Sequence, residues 1–423
     1  MPNDMTKLGE ERSSASFSHS PTLAGKPGRT ALWASVMGIG MLAFGAAALA
    51  ADAMPAMSKG SPRLELGASA MFAPDDTLLV AAKQGEHVMI YRSTDEGKTW
   101  SAPVAVNAQP EAISADGENR PKIAFAADGG LLVSWTHPFP KPNTGAIRLA
   151  RADDGKNFSP PQTVHQDTAI ITHRFESMLT TPDNKVILAW IDKRDLETAK
   201  AGKTSYVGAA IYAALSTDGG RTFQPEYKLA DHSCECCRLT SAIDRDGAPL
   251  FMWRHVYAPN ERDHAIVRLK PDGRPESVQR ATFDRWKVDG CPHHGPSLVV
   301  DEQGVRHAVW FNHKEGQGPV HYGQLPAGGE KSPVGQRTVG GPRAAHADLG
   351  TAGGKLFIAW KEFDGEKTQL RGLVSSDGGK SFDERALAAT EGASDQPRVI
   401  RHQDKLFAFW RTEKEGFRLF QLP

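Results

Sequence analysis

An octapeptide recurs along this chain and limits what it can fold into more than any other feature. It appears as Ser93-Thr94-Asp95-Glu96-Gly97-Lys98-Thr99-Trp100, as Ser216-Thr217-Asp218-Gly219-Gly220-Arg221-Thr222-Phe223 and as Ser375-Ser376-Asp377-Gly378-Gly379-Lys380-Ser381-Phe382. A degenerate copy, Arg151-Ala152-Asp153-Asp154-Gly155-Lys156-Asn157-Phe158, keeps the Asp, the Gly and the aromatic. Each copy follows an alternating apolar run and precedes another extended segment, where a hairpin is needed. The Asp carboxylate can accept N–H groups of its own turn, Gly supplies a positive φ, and the aromatic folds back on the hairpin. None of this needs a substrate, so Asp95, Asp153, Asp218 and Asp377 read as structural.

A second repeat is easier to count. It is an apolar run, usually ending in Trp, just after a Gly- or Asp-containing turn: 131–135, 186–190, 250–253, 307–310, 356–360 and 406–410, with 78–82 as a copy lacking Trp. The spacing of roughly 50 to 63 residues fits one four-stranded propeller blade. The expected fold is all-β, a single β-propeller of four-stranded blades with the box hairpins at the periphery; seven blades are favoured and six are the alternative. The last unit has room for three strands, and residues 63–66 are expected to add its outer strand and so close the ring. The fourth and fifth units lack the box, with Lys270-Pro271-Asp272-Gly273 and Pro326-Ala327-Gly328-Gly329 in its place.

The octapeptide resembles the Asp box of the sialidase, or BNR-repeat, families. That resemblance implies a propeller whose boxes lie at the blade periphery, away from any active site. A sialidase also needs three arginines on the substrate carboxylate, a Tyr nucleophile assisted by Glu, and an acidic Asp, the tyrosine variant of retaining glycoside hydrolysis. These do not carry over. The family's Arg-Ile-Pro is approached only by Arg120-Pro121, one unit late, and Tyr91 and Tyr212 fall in third strands. Fold analogy alone does not give function.

All four cysteines lie in two stretches, His232-Ser233-Cys234-Glu235-Cys236-Cys237-Arg238 and Asp289-Gly290-Cys291-Pro292-His293-His294-Gly295-Pro296. They open the inner strands of the fourth and fifth units, which are neighbours in a propeller, so the two stretches should meet. An even number of cysteines in an exported chain suits disulfides, with at least one bridge from the 234–237 stretch to Cys291. Three thiols, a fourth across the seam and nearby histidines also suit Zn or Cu; no other cofactor is implied. The pair of stretches resembles those of a bacterial, exported subset of sialidase-like propellers with Cys-x-Cys-Cys and Gly-Cys-Pro-x-x-Gly-Pro.

Other inner strands also begin with polar residues. Arg120, Arg174, Glu176, Arg238, His293, His294, Arg343 and His346 are the candidate ligand-binding rim, the arginines as clamps for an anion. Residues 1–50 read as a signal peptide, or an N-terminal anchor, because 31–50 is apolar and ends in Ala48-Leu49-Ala50. Residues 51–62 read as a flexible mature terminus and 63–423 as the propeller. This implies a periplasmic or secreted bacterial protein that meets a membrane only if the leader stays attached. Lys plus Arg and Asp plus Glu are 50 each, and no basic stripe points to nucleic acid. A small molecule, a sugar or a periplasmic protein is the expected partner of a monomer. The residues favour a ligand-, metal- or partner-binding propeller; an exo-sialidase-type glycoside hydrolase acting on an acidic sugar is the alternative.

Overall fold

The structure is a computed structural model that describes residues 64–313 and 318–422. The expected leader, the segment 51–62 and Arg63 lie outside the described residues. Among those described, no helix is long and apolar enough to cross a membrane.

Each repeat unit folds as one antiparallel sheet; among the described residues six sheets have four strands and one has three. The inner strands are Ala68–Phe72, Lys122–Phe125, His173–Thr180, Thr240–Ile243, Ser297–Val300, Ala344–Ala352 and Arg398–His402. Each lies beside the next and the last lies beside the first. The sheets therefore close into a seven-bladed β-propeller, here numbered blades 1 to 7 in chain order.

The second strand of a blade carries a largely apolar central run without alternation. Val186–Asp192, in blade 3, is buried at every position. A strand reads this way when both its faces are covered, and each face here meets a neighbouring blade. Leu132, Ile147 and Val164 of blade 2 pack with Val186, Leu188 and Trp190 of blade 3. Trp135, Trp190, Trp253, Trp310, Trp360 and Trp410 are fully buried between blades in this way, which explains why six repeat copies end in Trp. Truncating such a side chain to Ala costs about 3–5 kcal/mol.

The ring closes differently from the expectation. Leu64, Glu65 and Leu66 form no strand, and blade 7 has three strands among the described residues. The segment is instead drawn to the loop before blade 2. Glu65 pairs with Lys83 and accepts the Ala115 N–H at 3.3 Å, and the Gly67 N–H donates to the Ala115 carbonyl at 2.7 Å. A Cβ on Gly67 would stand 2.5 Å from that carbonyl oxygen, so only glycine permits the approach. Closure comes from side chains. Asp395 accepts the Ala68 N–H at 3.0 Å, Phe72 stacks on His402 at 4.1 Å, and Ala68, Leu78 and Val80 of blade 1 pack with Ile400, Phe407 and Phe409 of blade 7.

The box turns join third to fourth strands, so the antiparallel sheets place them at the end opposite the starts of the inner strands. In the first box, the Ser93 hydroxyl donates to Asp95 at 2.7 Å and accepts the Gly97 N–H at 2.8 Å. Asp95 then accepts the N–H and hydroxyl of Thr99 at 2.8 and 2.6 Å, and these bonds hold its carboxyl down at about 2. Asp218 and Asp377 repeat the pattern. In the degenerate copy Asp154 accepts the turn N–H groups of Lys156 and Asn157, while Asp153 pairs with Arg151 and Arg221.

Candidate functional site

The starts of the inner strands converge on one mouth of the channel, and the loops entering them carry a buried network of charges. At its centre is Glu118, in the loop entering blade 2. Its carboxylate accepts the Arg238 N–H at 2.9 Å, Arg238 Nη1 at 2.6 Å, the Gly295 N–H at 2.8 Å and Gln396 Nε2 at 2.8 Å. Burial alone would raise its pKa, but the Arg238 guanidinium and nearby His346 hold it well below the usual carboxylate range. Gly295 has to be glycine here, since a Cβ would stand 2.4 Å from Arg238 Cγ. Glu118 was absent from the expected rim, although it immediately precedes the Asn119-Arg120-Pro121 run that marks the strand entry.

The expected arginines do not form one open clamp. Arg120 is buried and donates through Nη1 and Nη2 to the two Asp395 oxygens at 2.9 and 3.1 Å. Arg238 is buried on Glu118. Arg174 is partly buried, 3.7 Å from Asp116, with its guanidinium over the Phe175 ring. Arg343 is exposed, beside Phe363. Glu176 is buried and accepts the Thr136 hydroxyl at 3.1 Å. Asp348 accepts the Ser297 hydroxyl and pairs with Arg398 at 3.2 Å.

Of the expected histidines, His294 and His346 come together. Their rings stack at 3.9 Å, and His294 stacks on Phe311 at the same distance. His346 Nδ1 faces Glu118 at 3.6 Å. Burial pushes His294 down to about 4 and His346 well below its ordinary value. His293 is exposed. A second group, Asp167, His173 and Asp192, offers ligand atoms within 4.8 Å of one another. There Arg194 already takes both carboxylates, at 3.3 and 2.8 Å.

The two cysteine stretches do enter neighbouring inner strands, beside this network. Cys234, Cys236 and Cys237 are buried, and their sulfurs stand 3.8 Å apart for Cys234–Cys236 and for Cys236–Cys237. Val256 packs against them. Cys291 is exposed, and hydrogen bonding to Cys236 holds its thiol down at about 7. All four are free thiols. The expected bridge to Cys291 is not formed, nor is one inside the 234–237 stretch, because separations of 3.8 Å exceed a disulfide bond of about 2.05 Å. Hydrogen bonds from the neighbouring thiols and the Arg254 and Arg262 charges favour ionisation of Cys234, and its thiolate in turn raises Cys236.

One blade-to-blade regularity fails close by. The buried indoles of Trp135, Trp190, Trp310 and Trp360 each donate to a carboxylate, and that of Trp410 to the Asp395 carbonyl. The Trp253 indole N–H in blade 4 has no partner among the described residues, and neither do His255 Nδ1 and the Tyr257 hydroxyl.

Fold and repeat together define the class, a seven-bladed propeller with Asp-box turns that resembles the sialidase-like propellers. Residues 91–102 match the BNR/Asp-box repeat. No curated protein matches the chain. Among solved structures, a polysaccharide lyase aligns over 86% of this chain and 91% of its own, with 10% identity and a TM-score of 0.54. An ulvan lyase of a new polysaccharide lyase family aligns over 84% and 91%, with 11% identity and a TM-score of 0.52. A protein of unknown function from Dyadobacter fermentans aligns over 74% and 98%, with 12% identity and a TM-score of 0.53. These likenesses concern the fold.

Proposed function

We propose that this is an exported binding propeller, not a sialidase, and that it takes its ligand at the mouth where blades 4 and 5 meet. One observation carries the reading. Arg120 and Arg238, two arginines at the channel mouth, already hold the buried carboxylates of Asp395 and Glu118. An acidic sugar would have to displace one of them and leave it buried without its cation, at a cost of several kcal/mol. Catalytic tyrosine chemistry has no support either. Tyr91 donates to Gln84, Tyr206 to Asp231, Tyr322 bonds His307, and the hydroxyls of Tyr227 and Tyr257 have no partner among the described residues, so none of these is paired there with a glutamate.

The apolar run at 31–50 supports export, and the periplasm is the proposed location. Candidate ligands are a metal, a small molecule or a periplasmic partner protein, met by His293, His294 and the cysteine stretches. A fluorogenic sialoside tests the reading. No turnover above the uncatalysed rate is expected. Turnover that disappears in Arg174→Ala, whose side chain is only partly buried, would overturn it.

A further inference from the structure

We propose that Cys234, Cys236 and Cys237 bind one thiophilic d10 metal ion, Cu(I) or Zn(II), with exposed Cys291 as an exchangeable fourth ligand where the ion takes four. This rests on the reading of blades 4 and 5 as the working site and names what that site holds.

The first support is distance. A tetrahedral site with metal–sulfur bonds of about 2.3 Å has sulfur–sulfur edges of about 3.8 Å. The Cys234–Cys236 and Cys236–Cys237 separations are 3.8 Å, and all three sulfurs lie within 4.8 Å of one another. One short stretch thus presents three donors to a single point. His232, at φ 59°, and the Cys234 N–H, bonded to the Arg254 carbonyl at 2.8 Å, fix the course of the chain into that stretch.

The second support is charge, from buried Arg254 and partly buried Arg262. Arg254 is 1% exposed. Among the described residues its guanidinium donates only to the carbonyls of Arg262, His294 and Phe311, and its Nε has no partner. Arg262 donates to the Asn260 side chain and to Cys234 Sγ at 3.5 Å. Among the described residues neither forms an ion pair with a carboxylate, whereas Arg120 and Arg238 each have one. A buried cation without a counter-charge is costly. A trithiolate–Cu(I) centre and a tetrathiolate–Zn(II) centre each carry two negative charges, which these two guanidiniums match. Soft thiolates select such ions over Mg(II) or Ca(II).

The third support is the unequal burial of the ligands. Cys234, Cys236 and Cys237 are closed off, while Cys291 faces solvent. An incoming thiolate can therefore displace Cys291 first: one metal–sulfur bond breaks, another forms, and no electron is transferred. The arrangement suits a carrier that receives or passes on its ion.

The full chain, purified reduced and metal-free, is titrated with Zn(II) against a chromophoric chelator and, in a second arm, with Cu(I) against a Cu(I)-specific chelator. One equivalent of at least one ion is expected. Cys236→Ser should abolish stoichiometric uptake, and Cys291→Ser should keep the equivalent but release it faster. Arg262→Gln, a change in the outer shell, should weaken affinity about 10–100-fold. Cadmium NMR of the wild-type chain should report three or four sulfur ligands; this does not depend on any variant folding. Uptake of neither ion, equal uptake by Cys236→Ser, or cadmium on oxygen and nitrogen alone would overturn the site. A failure here without sialoside turnover leaves the binding reading intact but without its metal. Sialoside turnover removes that reading whatever the metal result.

Discussion

Glu118 enters the mouth from blade 2, yet its hydrogen bonds reach Arg238 of blade 4, Gly295 of blade 5 and Gln396 of blade 7. A buried carboxylate is tolerated only when its lone pairs and charge are matched, and here backbone N–H groups, an amide and a guanidinium match it. Glu118→Gln keeps the shape but leaves Arg238 buried without its anion. It should cost about 3–5 kcal/mol, measured as a fall in the urea midpoint. Exposed Arg343→Ala should stay within about 0.5 kcal/mol of wild type. The arginines are legible in the sequence as strand-entry residues, because the repeat gives each one a position. Their partners are not. Arg120 and Asp395 are 275 residues apart, so no local pattern joins them, and that pairing turns an expected clamp into a seal. The cysteines are different: their clustering is legible because three lie within four residues, but the lone guanidiniums of Arg254 and Arg262 are visible only in the fold.

At the scale of the strand, the repeated Trp does two things. It fills the space between blades, and in most blades its indole N–H ties the strand end to an acidic side chain. Trp190→Phe removes volume and the bond to Asp192. Trp253→Phe removes similar volume and no bond. Trp190→Phe should therefore cost about 1 kcal/mol more than Trp253→Phe, since hydrogen bonds to charged groups contribute about 1.5–3 kcal/mol and Arg194 remains on Asp192. Urea denaturation of the two variants checks the difference. The blades themselves are legible, because fully buried second strands read as unbroken apolar runs. The fate of residues 64–66 is not, because it is decided by Glu65 and Gly67 meeting Ala115 across a loop. The box turns are legible down to their hydrogen bonds, except where the degenerate copy passes the work from Asp153 to Asp154.

The molecule as a whole should be acid-sensitive. Burial pushes His165 down to about 4, with neighbouring His173 adding to the effect. Burial also lowers His264 well below its ordinary value, beside Arg254, and lowers His307 against the opposing pull of Asp301. Such groups stay neutral in the folded state while the unfolded chain takes up protons below about pH 6.5. The unfolded state then binds more protons, so stability falls as pH drops from about 6.5 towards about 4. Melting temperatures at pH 7 and pH 5, read by tryptophan fluorescence, should show a clear fall on acidification; an unchanged value would refute it.

Among the described residues no sheet spans the seam between blades 7 and 1, and this has a mechanical side. Six blade-to-blade seams are crossed by the chain itself. Among the described residues, the seam between blades 7 and 1 is held by contacts such as Asp395 with Ala68, Phe72 with His402, and the apolar cluster behind them. It is a clasp and not a weld. Tension applied at the two ends of the propeller loads that clasp before any other seam. Once it parts, the ring becomes an open chain of blades that can peel away one at a time from either end.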